Sequence, residues 1–233
     1  WSKQPDSKYR PLLLKKLYPY IGQFQGKNKM MLKFFYGYNL TNTESPYYSH
    51  ILRWKNTSGL LHFFKEHIIK EGTEINPDVD LSGTLDNNMM QWDLLSKAQW
   101  FEIKMFMSGY LLSSQGDRVA MANSVESRYP FLDHNIIEFA AMLPSDFKMH
   151  GLNEKYIIKK MMQGKLPESI LNRPKQAYRA PAGNNLFTSG EDYIGELLSK
   201  SAIDEAGIFK YEMVHKLSEK IKNNQQATEI ENM

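Results

Sequence analysis

The sequence has 233 residues, 42% of them hydrophobic and 24% charged, with a formal charge of +3 and no cysteine. This composition excludes a disordered chain, and the scattered basic residues, with no block of five or six like charges, exclude a nucleic-acid or membrane-surface partner. Without cysteine there are no disulfides, no thiolate metal sites and no cysteine nucleophile within the chain.

No apolar run reaches the roughly 18 residues of a transmembrane helix, and no charged-then-apolar leader opens the sequence. The chain reads as soluble, with the cytoplasm as the default compartment. Its opening on Trp1-Ser2-Lys3, without an initiator Met, reads as that of a fragment of something longer. Residues 1–222 are expected to form a single helical region and 223–233 a polar, frayed tail.

In chain order, Asp6 or Ser7 can cap a helix with Pro11 in its first turn and Leu13, Leu14, Leu17, Tyr18 and Ile21 at helical spacing; Pro19 should bend or end it. Met30, Met31, Phe34, Phe35 and Tyr38 recur at the spacing of a second helix and read as core. A turn over Thr41 to Pro46 leads to a short helix through Tyr47 to Trp54. Ser58 is expected to cap another, with Leu60, Leu61, Phe64 and Ile68 on one face. His62 and His67 stand five apart, where two zinc ligands on one helix face would stand three or four apart.

Glu71 to Leu85 is a polar connection with one helical turn. Asp86 or Asn87 should then start the most apolar helix, Met89 to Met107, whose apolar surface wraps most of the way round and predicts a central, buried element. After Gly116 to Asp133, Asp133 is placed to cap Ile136 to Leu143, and Pro144 stops that helix. Asn153 should cap the next, with Gly164 as its left-handed terminator. Two more helices are expected from Glu191 onward, the last carrying Phe209, Met213, Val214, Leu217 and Ile221. No alternating strand pattern, internal repeat or Gly-rich phosphate loop occurs, and the chain should be nearly all helix.

Two polar stretches stand out. Gly116 to Asp133 sets Asp117, Arg118, Asn123, Glu126, Arg128 and Asp133 among small apolar residues, and Pro130-Phe131-Leu132 reads as a buried link. Charges in an apolar setting must be paired, so the stretch is either a network tying two helices together or a site. The second stretch holds Arg173, Lys175 and Arg179 beside prolines, and is either a solvated loop or a place where cations meet phosphate.

Gly116-Asp117-Arg118-Val119-Ala120-Met121-Ala122-Asn123-Ser124-Val125-Glu126-Ser127-Arg128-Tyr129-Pro130-Phe131-Leu132-Asp133-His134, Gly151-Leu152-Asn153-Glu154-Lys155-Tyr156 and Arg173-Pro174-Lys175-Gln176 carry a resemblance. Together they resemble the synthetase domain of glutamine-dependent asparagine synthetases, strongly from about Tyr110 to Pro181. The resemblance implies a mainly α chain, the helical C-terminal portion of an α/β adenine-nucleotide α-hydrolase-like (ATP-pyrophosphatase type) synthetase domain. It also implies an enzyme that uses ATP and Mg2+ to adenylate a carboxylate, which ammonia from an N-terminal glutaminase then converts to the amide.

The family's Ser-Gly-Gly-x-Asp-Ser and Gly-Glu-Gly-x-Asp-Glu segments do not occur here and would lie upstream of Trp1. The chain by itself is therefore expected to be inactive and to hold no cofactor alone. Lys175 is the position that the resemblance marks as catalytic, against the charge that builds on departing pyrophosphate. Arg118, Glu126, Arg128 and Arg173 match motif positions that would bind ATP phosphates or position loops. The implied partners are aspartate or another small carboxylate, glutamine-derived ammonia, and the glutaminase and nucleotide-binding parts of the same protein; a homodimer stays open.

The sequence departs from the family in one place. Where common members carry an acidic residue in a Leu-Pro-x-Asp-Leu-Leu type of run, this chain has Met107 to Gln115, making Tyr110 and Leu111 candidates for substrate choice. The wording is closer to members found with surface-polysaccharide genes. The rival reading is a non-catalytic helical module for protein interaction or oligomerisation, presenting aromatics such as Tyr47, Tyr48 and Trp54.

Overall fold

The computed structural model describes residues 1–16, 29–72, 81–174, 187 and 192–223. It forms two compact bodies, Trp1–Leu52 with Asn87–Gln176 and Arg53–Asp86 with Ala177–Met233. Both are built mainly of helices, and the described strands are two short ones in an antiparallel hairpin.

In the first body neither Asp6 nor Ser7 is the cap: the Ser7 Oγ accepts from the backbone N–H groups of Tyr9 and Arg10 at 3.3 and 3.1 Å in a turn ahead of the helix, whose N-cap position is Tyr9 with no side-chain cap bond. The helix Arg10–Leu13 follows with Pro11 in its first turn, tightening into a 3₁₀ turn at Leu14–Lys16. Leu17, Tyr18, Pro19 and Ile21 lie outside the described residues. The second predicted helix runs Lys29–Tyr36; among its described side chains Leu32 is buried, while Met30 is 77% exposed, and the side chains of Met31, Phe34 and Phe35 lie outside the described ones. At 100° per residue those two point to nearly opposite sides, so a core centred on Leu32 turns Met30 outward.

The long apolar helix does not begin at Asp86 or Asn87. Met89–Gln91 forms a 3₁₀ turn, and the α-helix Leu94–Phe101 starts after Asp93. Asp93 Oδ1 accepts from the N–H groups of Leu95 and Ser96 at 3.0 and 3.2 Å, and the Ser96 hydroxyl donates to Oδ2 at 2.5 Å. The Ser145 hydroxyl, 52 positions later, also donates to Oδ1 at 2.5 Å and ties the start of the helix Ser145–Lys148 to this cap. Burial pushes the Asp93 carboxyl up, but the hydrogen bonds from Ser145, Ser96 and Leu95 outweigh it and hold the carboxyl at about 2. Lys97, buried on the same helix, donates its Nζ to Met90 O at 3.3 Å and fastens the preceding turn.

From Glu102 to Gln115 the helix widens into π winding. Within it the Ser108 and Ser113 hydroxyls donate back to Lys104 O at 2.7 Å and Gly109 O at 2.6 Å, a competition for carbonyls that favours irregular winding. Phe101 and Met89 are fully buried, whereas Leu94, Ile103, Met105 and Phe106 are exposed. The predicted burial along the whole helix is thus corrected: Phe101, which meets Tyr47 and His50, is covered, and Leu94, Ile103, Met105 and Phe106 are not. Gly116 ends the winding, where a Cβ would lie 2.9 Å from Leu111 O.

In the second body Ser58 is not a cap; its hydroxyl donates to Lys55 O at 2.7 Å at the end of the helix Ile51–Ser58. A 3₁₀ turn Gly59–Phe63 follows, and the next helix starts at Glu66. An extended link pairs with the carboxy-terminal part: Lys65 N–H donates to Ile208 O at 2.9 Å, Lys210 N–H donates to Phe63 O at 2.7 Å, and the Phe64 and Phe209 rings meet at 5.0 Å. Phe209 therefore lies ahead of the last helix, Tyr211–Lys222, because Gly207 at φ +71° has already turned the chain after Lys200–Ala206. Among the described residues, Ile194 and Ile203 are the buried apolar side chains of this part.

Asp93→Ala should lower unfolding stability by about 1 kcal/mol at neutral pH, as for other N-caps, in a denaturant titration. The folded carboxyl titrates below its ordinary value of 3.8, so its contribution is complete above that value and is lost as pH falls through about 2. The stability difference between wild type and Asp93→Ala should shrink over that acid window and stay constant from pH 5 to 8.

Candidate functional site

Asp117 and Arg118 open the short helix Asp117–Ala122, where both side chains are exposed. The helix closes with the Asn123 Nδ2 donating to Val119 O at 2.8 Å, and Ser124 turns through φ +58°. Glu126 and Arg128 pair with each other at 2.7 Å, with their side chains 68% and 79% exposed. The described contacts of this stretch are local and do not make it a network between two helices.

The Pro130–Leu132 turn is not a buried link. Phe131 is 76% exposed, because the turn packs beside the helix His134–Met142 without placing its central ring beneath it. Asp133 caps that helix as its position predicts, with Oδ1 accepting from Asn135 and Ile136 N–H at 3.0 and 3.4 Å, and the helix ends before Pro144. Asn153 is not a cap. It lies in a hairpin that pairs Met149 with Glu154 and His150 with Asn153, and its Oδ1 accepts from Lys159 Nζ at 2.8 Å. Gly151 at φ +60° makes that hairpin turn, which the alternation test misses because each strand has two residues. Gly164 adopts the expected left-handed conformation, φ +74°.

The substrate-choice candidates sit near the end of the π winding. Gln115, which the sequence reading passed over, donates its Nε2 to the Tyr110 hydroxyl at 2.7 Å, and the Phe106 and Tyr110 rings meet at 5.2 Å. That bond leaves the Tyr110 hydroxyl proton available to donate elsewhere. Leu111 is also exposed. Arg173 is exposed just past the helix Glu168–Leu171, in the same body as Tyr110, Leu111, Arg118, Glu126 and Arg128. Lys175, with Tyr178, Arg179 and Pro181, lies outside the described residues. Tyr47, Tyr48 and Trp54, proposed above as an exposed patch, are half-buried: Tyr47 packs on Phe101 at 5.7 Å, and the Tyr48 hydroxyl donates to Leu40 O at 2.9 Å. Among the described residues no three His, Asp or Glu side chains gather as a metal site would need, and no helix is long and apolar enough to cross a membrane.

The sequence model of the asparagine synthase family matches residues 9–233. The chain belongs to the asparagine synthase family. It is 28% identical over 150 residues to asparagine synthetase [glutamine-hydrolyzing] 1 of Bacillus subtilis (strain 168), covering 63% of this chain and 24% of that protein. It is 31% identical over 143 residues to the amidase chyE of Penicillium rubens, covering 58% of this chain and 21% of that protein. With asparagine synthetase [glutamine-hydrolyzing] 3 of Bacillus subtilis (strain 168) it shares 37% identity over 83 residues, 36% of this chain and 14% of that protein. The matched part is therefore about a quarter of those relatives' length or less. No solved structure matches.

Membership makes the chain part of a ligase-type amide synthetase family with adenine-nucleotide α-hydrolase-like architecture, of which helices are the described part. Because the Glu126–Arg128 pair is so exposed, Glu126→Ala and Arg128→Ala should each change unfolding stability by less than about 0.5 kcal/mol in denaturant titration. A larger loss would show that the pair holds the fold.

Proposed function

We propose that this chain is the carboxy-terminal helical portion of an ATP-dependent, glutamine-hydrolysing amide synthetase of the cytoplasm. The observation that carries the reading is the family match over residues 9–233. Supporting it, Arg118 and Arg173 are exposed cations at motif positions, available to an anionic ligand.

In the proposed reaction an oxygen of the acceptor carboxylate attacks the α-phosphorus of ATP and pyrophosphate leaves. Ammonia then attacks the acyl carbon and AMP leaves, giving the amide. Lys175 carries the charge that builds on the departing pyrophosphate, and its work is electrostatic. Arg118 and Arg173 contact ATP phosphates or hold the loops that do, as guanidinium forks suited to two phosphate oxygens each. Glu126 and Arg128, paired on the loop between Ser124 and Tyr129, fix each other's direction on that loop.

Mg2+ would supply counter-charge on the phosphates. The described residues offer no cluster to hold it, so no step is assigned through it. Tyr110 and Leu111 bear on acceptor choice, because a hydroxyl and an apolar chain replace a carboxylate that could meet an acceptor's amino group. The relatives' names, asparagine synthetase and amidase, leave aspartate and other carboxylates both open as acceptors.

In the full-length protein, Lys175→Ala should abolish pyrophosphate release with an acceptor carboxylate, ATP and a nitrogen source, while circular dichroism and melting stay unchanged. Normal turnover in that variant would remove Lys175 from catalysis. Residues 1–233 alone should turn over no ATP. Screening the full-length enzyme for pyrophosphate release against aspartate and a panel of uronic acids identifies the acceptor.

A further inference from the structure

The π winding of Glu102–Gln115 brings Tyr110 and Gln115 to the same side of the chain. In an α-helix residues five apart lie about 140° round from each other, whereas π winding closes from i to i+5 and sets them one above the other. The Gln115 Nε2 accordingly donates to the Tyr110 hydroxyl at 2.7 Å, and one turn back the Phe106 ring meets the Tyr110 ring at 5.2 Å. Tyr110 is held at its ring and at its hydroxyl, yet 42% of it stays exposed.

The direction of that hydrogen bond decides what Tyr110 can offer. A phenol hydroxyl has an accepting oxygen and one proton, and the Gln115 amide already occupies the oxygen. No described residue takes the proton. Tyr110 is therefore a donor with a fixed position. An ammonium group carries only donors, so it would set protons against a proton, whereas a hydroxyl oxygen would accept and complete the chain of bonds. Leu111, the exposed neighbour, has no charge with which to hold a cation.

We propose that Gln115 is a positioning residue that fixes Tyr110 as a hydrogen-bond donor, and that the acceptor carboxylate is accordingly a hydroxy acid and not an amino acid. The hydroxyl of that acceptor takes the Tyr110 proton. The inference rests on the proposed reading in which Tyr110 bears on acceptor choice, and it goes further by assigning the class of acceptor.

Malate and aspartate share their carbon skeleton and both carboxylates, and differ in carrying a hydroxyl or an ammonium group. Pyrophosphate release by the full-length protein is measured with each, and with glucuronate as a second hydroxyl-bearing acceptor, in the presence of ATP, Mg2+ and glutamine. With a hydroxyl-bearing acceptor kcat/KM should be at least about tenfold higher than with aspartate. Tyr110→Phe, which keeps the ring beside Phe106, should raise KM for that acceptor about tenfold and leave kcat within about twofold. Gln115→Leu should raise the same KM about threefold, and should have no further effect in the Tyr110→Phe background, because it acts through the hydroxyl. A higher kcat/KM with aspartate would overturn the inference and leave the amide-forming reaction standing. A folded Tyr110→Phe enzyme with unchanged KM would also overturn it, whatever Gln115→Leu does. A Gln115→Leu effect that persists without the Tyr110 hydroxyl would remove the positioning role. Absence of pyrophosphate release with every acceptor would defeat the proposed reaction, and the inference with it.

Discussion

Phe101 is the point at which the larger body is held together. Its ring is fully buried where the α-helix passes into π winding, with Trp100 edge-on at 5.1 Å, His50 at 5.3 Å and Tyr47 at 5.7 Å. His50, also buried, brings its Nε2 to 3.3 Å from Glu102 Oε1, and the Ser49 hydroxyl meets its Nδ1 at 2.8 Å. An aromatic of this size carries a large share of a small core's burial, and its neighbours fix its orientation as well as its depth.

The consequence for function is a graded surface. The start of the helix is fastened by the Asp93 cap, the Ser145 hydroxyl and Lys97, and its middle by Phe101. Beyond Gly116 the described contacts become local: a side-chain closure at Asn123, an exposed pair at Glu126 and Arg128, a cap at Asp133. Charged and large apolar side chains are both open there. An isolated exposed apolar residue is ordinary, whereas Phe131, Phe139 and Met142 follow one another along a single stretch.

The motif stretch was legible as unusual but not as what it is physically. Charged residues among apolar ones suggest a buried network, and that reading assumes that the apolar neighbours are covered. In this structure Val119, Met121 and Phe131 are open, so Glu126 and Arg128 remain in water and need no further partners. Tyr110 was singled out by its departure from a family pattern. Its fixing by Gln115 was hidden, because a five-residue side-chain contact belongs to π winding and not to the α-helical spacing a sequence is read with.

What the sequence determined by itself are the features that act within a turn or two: Asp133 as a cap, Pro11 at a helix start, Gly164 in left-handed backbone, the dominance of helix, and family membership through contiguous motifs. Each depends on atoms a few residues apart. The tertiary structure alone decided that Asp93 and not Asp86 starts the apolar helix, that Leu32 and not Met30 faces the core, and that Phe131 is open. Ser145 reaches Asp93 from 52 positions away, and which side of an apolar helix is covered is set by what packs against it. Neither depends on spacing within the helix itself.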